Sequence, residues 1–136
     1  MFTRALATIV SPALLAMSAA ACGSGPEPST VEIPDLKDNT LYERATGDLS
    51  NGAGEFIFAG RTGGSASNRV HRAVIAFDIA GSVPAGSTIE SASLTLRVSR
   101  AASSGAEVYT LQKLRADWGE GASNAGSPGG DGTSPA

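Results

Sequence analysis

The stretch Arg72-Ala73-Val74-Ile75-Ala76-Phe77-Asp78-Ile79 and the later stretch Ser91-Ala92-Ser93-Leu94-Thr95-Leu96-Arg97-Val98 decide the fold of this chain. Successive side chains of a β-strand point to opposite faces, so every second residue shares a face. The shared apolar residues are Ala73, Ile75, Phe77 and Ile79 in the first stretch and Ala92, Leu94, Leu96 and Val98 in the second. Alternation of this kind predicts half-buried antiparallel strands with one wet face.

The segments around these two strands are rich in turn residues. The join at residues 82–87 reads Ser-Val-Pro-Ala-Gly-Ser and carries the Pro and Gly of a turn. Weaker strand candidates are residues 40–46, 55–60 and 106–115. No stretch beyond the N-terminal segment shows a helical period. We therefore predict an all-β fold over residues 35–118, an antiparallel β-sandwich or a barrel rather than an α/β fold.

The N-terminal segment has the order of an export signal: one basic residue (Arg4), an apolar run over residues 5–17, then small residues up to Ala21. The run is shorter than the roughly 20 residues that a membrane-spanning helix needs, and Pro12 interrupts it. We predict a signal peptide over residues 1–21 and an exported protein.

Cys22 is the only cysteine of the chain, so no internal disulfide can form. The sequence Ala19-Ala20-Ala21-Cys22 resembles the lipobox of bacterial lipoproteins, in which the thiol is acylated, although Ala19 stands where a branched apolar residue is usual. The resemblance implies a membrane partner, bound through lipid on Cys22, and a location at the cell surface or in the periplasm. The alternative is ordinary cleavage after Ala21, which leaves Cys22 as a free thiol.

Both ends of the predicted domain are rich in loop-forming residues. Residues 22–34 are the anchor cysteine and a Gly- and Pro-rich linker, and residues 119–136 are a Gly-, Ser- and Pro-rich loop or disordered tail. The formal net charge of −3 and the lack of a basic cluster argue against nucleic-acid binding.

Four ordered matches define a family resemblance. Residues 72–79, 83–89 and 91–96 resemble the central block of DNRLRE-type domains, which are related to disaggregatase-associated repeats and to a family of carbohydrate-binding modules. Residues 38–43 resemble the opening strand of that family, and Trp118-Gly119-Glu120-Gly121 resembles its Trp-x-Glu-Gly segment. The resemblance covers about residues 35–121.

The resemblance implies a jelly-roll β-sandwich that serves as an accessory module on secreted or surface-anchored proteins. Members of the family continue into further strands after the Trp-x-Glu-Gly segment, whereas this chain stops in a Gly-rich loop. We therefore expect an incomplete sandwich, the N-terminal portion of such a domain. Its large apolar side chains, Ile75, Phe77, Leu94 and Leu96, should then be only partly covered.

Little in the sequence indicates catalysis or metal binding. The single histidine, His71, has no spaced partners for zinc, and no Gly-x-Ser-x-Gly nucleophile motif is present. We predict no catalytic residue, no metal ligand and no cofactor, and hence no enzyme. Four acidic residues lie near the start of the domain: Asp35, Asp38, Glu43 and Asp48. They are explained either as solvated surface residues or as oxygen ligands of a structural Ca²⁺ ion, and this alternative stays open.

Two kinds of residue could bind sugar. Trp118 could stack on the apolar face of a sugar, or it could close the edge of the core. The guanidinium group of arginine binds carboxylates and sulfates through two parallel hydrogen bonds, so an arginine-lined sheet suits acidic polysaccharide. The other explanation for these arginines is that they keep the protein soluble. The candidate ligand-binding residues are Arg61, Arg69, Arg72, Arg97 and Trp118.

The sequence therefore favours a non-catalytic surface lipoprotein module for adhesion or acidic-polysaccharide binding. Two alternatives stay open: a structural spacer of the cell envelope that binds no sugar, and an accessory domain of a longer secreted enzyme.

Overall fold

The structure, a computed structural model, describes residues 2–12, 27–61, 69–101 and 105–125. Its elements are β1 (Phe2–Pro12), β2 (Pro28–Tyr42), β3 (Gly60–Arg61), β4 (Val70–Phe77), helix α1 (Ile79–Ser82) and β5 (Ser91–Val98). The five strands form one curled antiparallel sheet in the order β3-β4-β2-β1-β5. The prediction of an all-β fold is confirmed, and the two stretches that decided it are β4 and β5.

The N-terminal strand β1 lies between β2 and β5. Residues 6–12 pair with residues 28–34 of β2, and residues 2–10 pair with β5. The sequence predicted a signal peptide at β1 and a linker up to residue 34. In the structure β2 already begins at Pro28, because β1 supplies the hydrogen-bonding partner for its first half. Cleavage after Ala21 would remove the strand that joins β2 to β5.

The connection from β4 to β5 crosses the ends of two strands, since β2 and β1 separate them in the sheet. Asp78 caps the short helix α1 by accepting a hydrogen bond from the main-chain N–H of Gly81 at 2.8 Å. The predicted turn follows, closed by a hydrogen bond from the Ser87 N–H to the Pro84 carbonyl. Gly86 has a φ of 84°. This position of the turn needs a positive φ, which residues with a side chain rarely adopt.

The core of the sheet is small. The buried hydrophobic side chains of the described residues are Ile9, Ile33, Tyr42 and Ile57. Ile75, Phe77, Leu94 and Leu96 are half-buried. The described residues contain one sheet, so the second layer of a sandwich stays a prediction.

The strand prediction for residues 106–115 is wrong. These residues form no strand in the structure, and several of their apolar side chains are exposed, Val108 at 96% and Leu111 at 75%. Residues 55–60 are mostly irregular, with an isolated bridge at Ile57 before β3. Local alternation cannot make a strand without a neighbouring chain to receive its hydrogen bonds.

Candidate functional site

The two faces of the sheet differ in character. The inner face carries Ile9, Ile33 and Tyr42. In β2 the register shifts between Asp35 and Lys37, so the alternation of side chains reverses there. Lys37 and Asn39 therefore lie on the opposite face, which we call the outer face.

Lys37 holds the Trp-x-Glu-Gly segment against this outer face. Its ammonium group lies 4.7 Å from the centre of the Trp118 ring, a cation–π contact. The same group donates hydrogen bonds to Asp117 Oδ1 at 2.9 Å and to the Trp118 carbonyl oxygen. Trp118 is half-buried as a result. The structure thus places Trp118 beside a cation on the outer face, and the ring does not plug the inner core.

Asp117 is the acidic partner of this contact. The hydrogen bond from Lys37 lowers the pKa of the Asp117 carboxyl, and the hydrogen bond from the Trp118 N–H and the Lys37 charge act in the same direction. Since the Asp117 side chain is 94% exposed, the ion pair orients Lys37 more than it stabilises the fold.

Asn39 anchors the same segment from the centre of β2, where it is only 3% exposed. Its Nδ2 donates to the carbonyl oxygens of Gly119 and Glu120, at 3.3 and 2.8 Å. Its Oδ1 accepts from the Asn51 N–H at 2.9 Å. One buried amide therefore joins β2, the loop after β2 and the segment after Trp118.

Residues 119–125 continue along the loop after β2 through a series of hydrogen bonds. The Ser123 hydroxyl pairs with Ser50 at 2.6 Å and accepts from the Gly52 N–H at 3.2 Å. The Ser123 carbonyl accepts from the Ala53 N–H at 2.9 Å, and the Ala125 N–H donates to Asn51 Oδ1 at 2.7 Å. We call the residues 50–53 and 119–125 the docked loops. The sequence predicted a loop or disordered tail from residue 119, and its described part is a loop with defined partners.

The structure divides the four candidate arginines between the outer face and the edge of the sheet. Arg72 pairs with Leu41 and Arg97 follows inward-facing Leu96, so strand register places both on the outer face, where both are exposed. Three strand spacings separate β4 from β5, which is about 14 Å. Arg61 lies on edge strand β3, and Arg69 immediately precedes β4. The outer face therefore brings Arg72, Arg97 and Trp118 to one surface, with Arg61 and Arg69 at the sheet edge.

His71 lies in an aromatic cluster of the inner face. Its ring centre is 4.4 Å from that of Tyr42 and 6.3 Å from that of Phe58, with both pairs in edge-to-face geometry. The residue is 8% exposed. This geometry is that of a packing residue.

The acidic residues near the start of the domain are dispersed along β2 and the turn that follows. Glu43 accepts a hydrogen bond from the Val70 N–H at 2.8 Å. Asp48 accepts one from the Thr46 hydroxyl, which lowers the pKa of the Asp48 carboxyl. Within the described ranges no three His, Cys, Asp or Glu side chains come together as a metal-binding group. Cys22 lies outside the described residues.

Comparison of the chain with protein-family models, with curated proteins and with solved structures found no match. The described part of the chain contains no helix long and apolar enough to cross a membrane.

Sequence reasoning missed Lys37, Asn39, Asn51 and Ser123, which position Trp118 and the docked loops. One local signal could have indicated Asn39, because asparagine is uncommon inside strands and needs several hydrogen bonds when buried. Two of the partners of Asn39, Gly119 and Glu120, are 80 and 81 residues away in the chain and leave no local pattern.

Proposed function

We propose that this chain is a non-catalytic, lipid-anchored module that binds acidic polysaccharide outside the cell. The observation that carries the proposal is the common placement of Arg72, Arg97 and Trp118 on the outer face. Planar guanidinium groups suit carboxylate and sulfate groups, and an aromatic ring suits the apolar face of a sugar. The export signal and Cys22 support a location at the cell surface or in the periplasm.

The shape of the outer face favours an extended ligand. The strands β2 and β1 lie between those of the two arginines, and β2 presents Lys37 and Asn39 on this face. About 14 Å between β4 and β5 matches a ligand with repeated negative charges better than a small molecule with one charge. A jelly-roll sandwich that presents this sheet would be consistent with such a role, as the family resemblance implies.

Binding of the full-length protein to acidic and neutral polysaccharides, measured by affinity electrophoresis, tests the proposal. We expect the acidic polymer to retard the protein, and the retardation to weaken with salt because exposed charges are screened over about 8 Å at physiological ionic strength. The double variant Arg72→Gln/Arg97→Gln should lose most of the binding. A matched control, Lys113→Gln/Arg115→Gln, removes the same charge from a segment outside the sheet and should retain it.

Equal retardation by neutral and acidic polymers would contradict the arginine site. An equal loss in both double variants would show that net charge, and not the outer face, is responsible. No retardation by any polymer would favour the structural spacer.

A further inference from the structure

The loop after β2 carries a chemically reactive pair of residues, Asn51 and Gly52. Of the four asparagines of the chain, Asn51 is the one that glycine follows. The main-chain nitrogen of the residue after an asparagine can attack the side-chain amide carbon, and glycine reacts fastest because it has no side chain to hinder the approach. This pair is therefore the place in the chain where an asparagine is most readily converted into an acid.

In the structure the docked loops hold this pair in an unreactive state. Asn51 is 1% exposed, and its Nδ2 donates to the Phe56 carbonyl oxygen at 2.9 Å. Its Oδ1 accepts from the Ala125 N–H at 2.7 Å. The Gly52 N–H, whose nitrogen would be the attacking atom, donates to the Ser123 hydroxyl at 3.2 Å. Both ends of the amide and the attacking nitrogen are thus fixed, and burial keeps out the water that the reaction consumes.

Two of these partners, Ser123 and Ala125, belong to a segment that can open locally. Residues 119–125 have no apolar side chain larger than alanine, and five of the seven residues are exposed. Segments held by a few surface hydrogen bonds open at a lower free energy than global unfolding requires. When residues 119–125 leave, Asn51 Oδ1 and the Gly52 N–H lose these partners together, and water reaches both.

We propose that Asn51 is a deamidation site whose reaction is controlled by the docking of residues 119–125. In the released loop the Gly52 nitrogen gives up its proton to hydroxide and bonds to Asn51 Cγ. The side-chain amino group takes up a proton and leaves as ammonia. Water then opens the resulting succinimide ring at either carbonyl, which leaves an aspartate or an isoaspartate at position 51. The reaction consumes one water molecule and needs no oxidant, reductant or cofactor.

Either product should prevent the loops from docking again. A carboxylate at position 51 cannot donate to the Phe56 carbonyl, and the hydrogen-bonding partners of Asn51 include no cation that would compensate a buried charge. An isoaspartate also adds a methylene group to the main chain beside Gly52, where the Glu120 carbonyl leaves no room even for a β-carbon. Deamidation therefore turns a reversible opening of the docked loops into a permanent one, whatever ligand the outer face binds.

Deamidation of the full-length protein at mildly alkaline pH, followed by mass spectrometry of the peptide that contains residue 51, tests the control by docking. We expect the folded chain to react at least about tenfold more slowly than the same chain in urea, because the reaction needs the open loop. Ser123→Ala removes the acceptor of the Gly52 N–H and should raise the rate in the folded chain about tenfold. Ser93→Ala removes an exposed hydroxyl of β5 and, as the matched control, should react like the unaltered chain.

The product state is tested with Asn51→Asp and its matched control Asn124→Asp. Both variants add one negative charge to the docked loops, but residue 124 is exposed. The reporter is hydrogen exchange of the Ala53 N–H, which donates to the Ser123 carbonyl when the loops are docked. Asn51→Asp should reduce the protection of this N–H at least about tenfold, and Asn124→Asp should retain it.

The proposal would be overturned by a folded chain that deamidates at residue 51 as fast as the chain in urea. Equal rates in Ser123→Ala and Ser93→Ala would also overturn it, as would an Ala53 N–H that stays protected in Asn51→Asp. If circular dichroism shows that Ser123→Ala has lost the sheet, Ser50→Ala, which removes only the hydroxyl that pairs with Ser123, takes its place in the comparison. Loss of the whole sheet in Asn51→Asp would contradict the proposal, because it requires release of the docked loops alone.

Discussion

Gly52 lies directly against the main-chain carbonyl of Glu120, so close that a β-carbon at position 52 would overlap the carbonyl oxygen. This approach lets the docked loops exchange main-chain and side-chain hydrogen bonds, among them the one from the Gly52 N–H to the Ser123 hydroxyl. The contact joins two loops that are distant in sequence, next to the segment in which the Trp118 ring lies under the Lys37 ammonium group. The candidate ligand surface therefore depends on loop packing as much as on the sheet.

Replacement Gly52→Ala should separate the docked loops. The added methyl group meets backbone, which cannot rotate away, so we expect a loss of about 1–3 kcal/mol in the free energy of unfolding. Gly119→Ala is the matched control, because a β-carbon there meets no atom within 4 Å. It should be neutral, or stabilising by about 0.4–1 kcal/mol through the unfolded chain. Urea unfolding measures both variants, and equal stabilities would contradict the close packing of Gly52.

The contact of Asp117 with Lys37 should respond to acid. The Lys37 hydrogen bond lowers the pKa of Asp117 in the folded protein. The contact therefore contributes fully to the stability of the fold above the ordinary carboxyl pKa of about 3.9, and its contribution is lost as the pH falls through the lower pKa of the folded protein. Trp118 is the only tryptophan, and its fluorescence reports on the site. We expect constant emission from pH 7 to 5 and a red shift below about pH 4.

Two variants separate this effect from general acid unfolding. Asp117→Asn should show shifted emission already at pH 7 and no further change in the acid window. Asp48→Asn removes another carboxyl whose pKa is lowered, in the turn after β2, and should leave the Trp118 titration unchanged. A Trp118 titration that is the same in Asp117→Asn and the unaltered protein would refute the assignment.

Cys22 should carry lipid in the exported protein. A single acyl chain binds membranes only marginally, so firm anchoring requires two or more chains. Intact-mass measurement on native material should therefore show a diacyl or triacyl adduct, and Cys22→Ser should abolish both the adduct and membrane attachment. An unmodified thiol on protein released from the cell would exclude the anchor.

A chain truncated to residues 35–136 should not fold cooperatively. The truncation removes β1 and the first half of β2, and with them Ile9 and Ile33, two buried hydrophobic residues. Each large apolar side chain left in water forfeits roughly 1.5–3 kcal/mol, and domains of this size are stable by only about 5–15 kcal/mol. Calorimetry should show no sharp transition, or the chain should be found only as oligomers. A monomer with a two-state melt would show that β1 is dispensable.

The sequence by itself determined the strands whose signal is local. The alternation in residues 72–79 and 91–98 specifies β4 and β5, because a period of two puts apolar side chains on one face whatever the neighbour. The turn at Pro84 and Gly86 could likewise be predicted from the sequence, since its backbone angles favour those residues.

Tertiary structure alone decided which strands are neighbours and where Trp118 lies. Nothing local in the alternation indicates that β1 enters between β2 and β5, since any strand with a suitable face could pair there. The same holds for Asn39, which donates hydrogen bonds to Gly119 and Glu120, two residues that follow it by 80 and 81 positions in the chain. Such contacts form only once the sheet has brought distant segments together, and the sequence of either segment alone carries no record of the other.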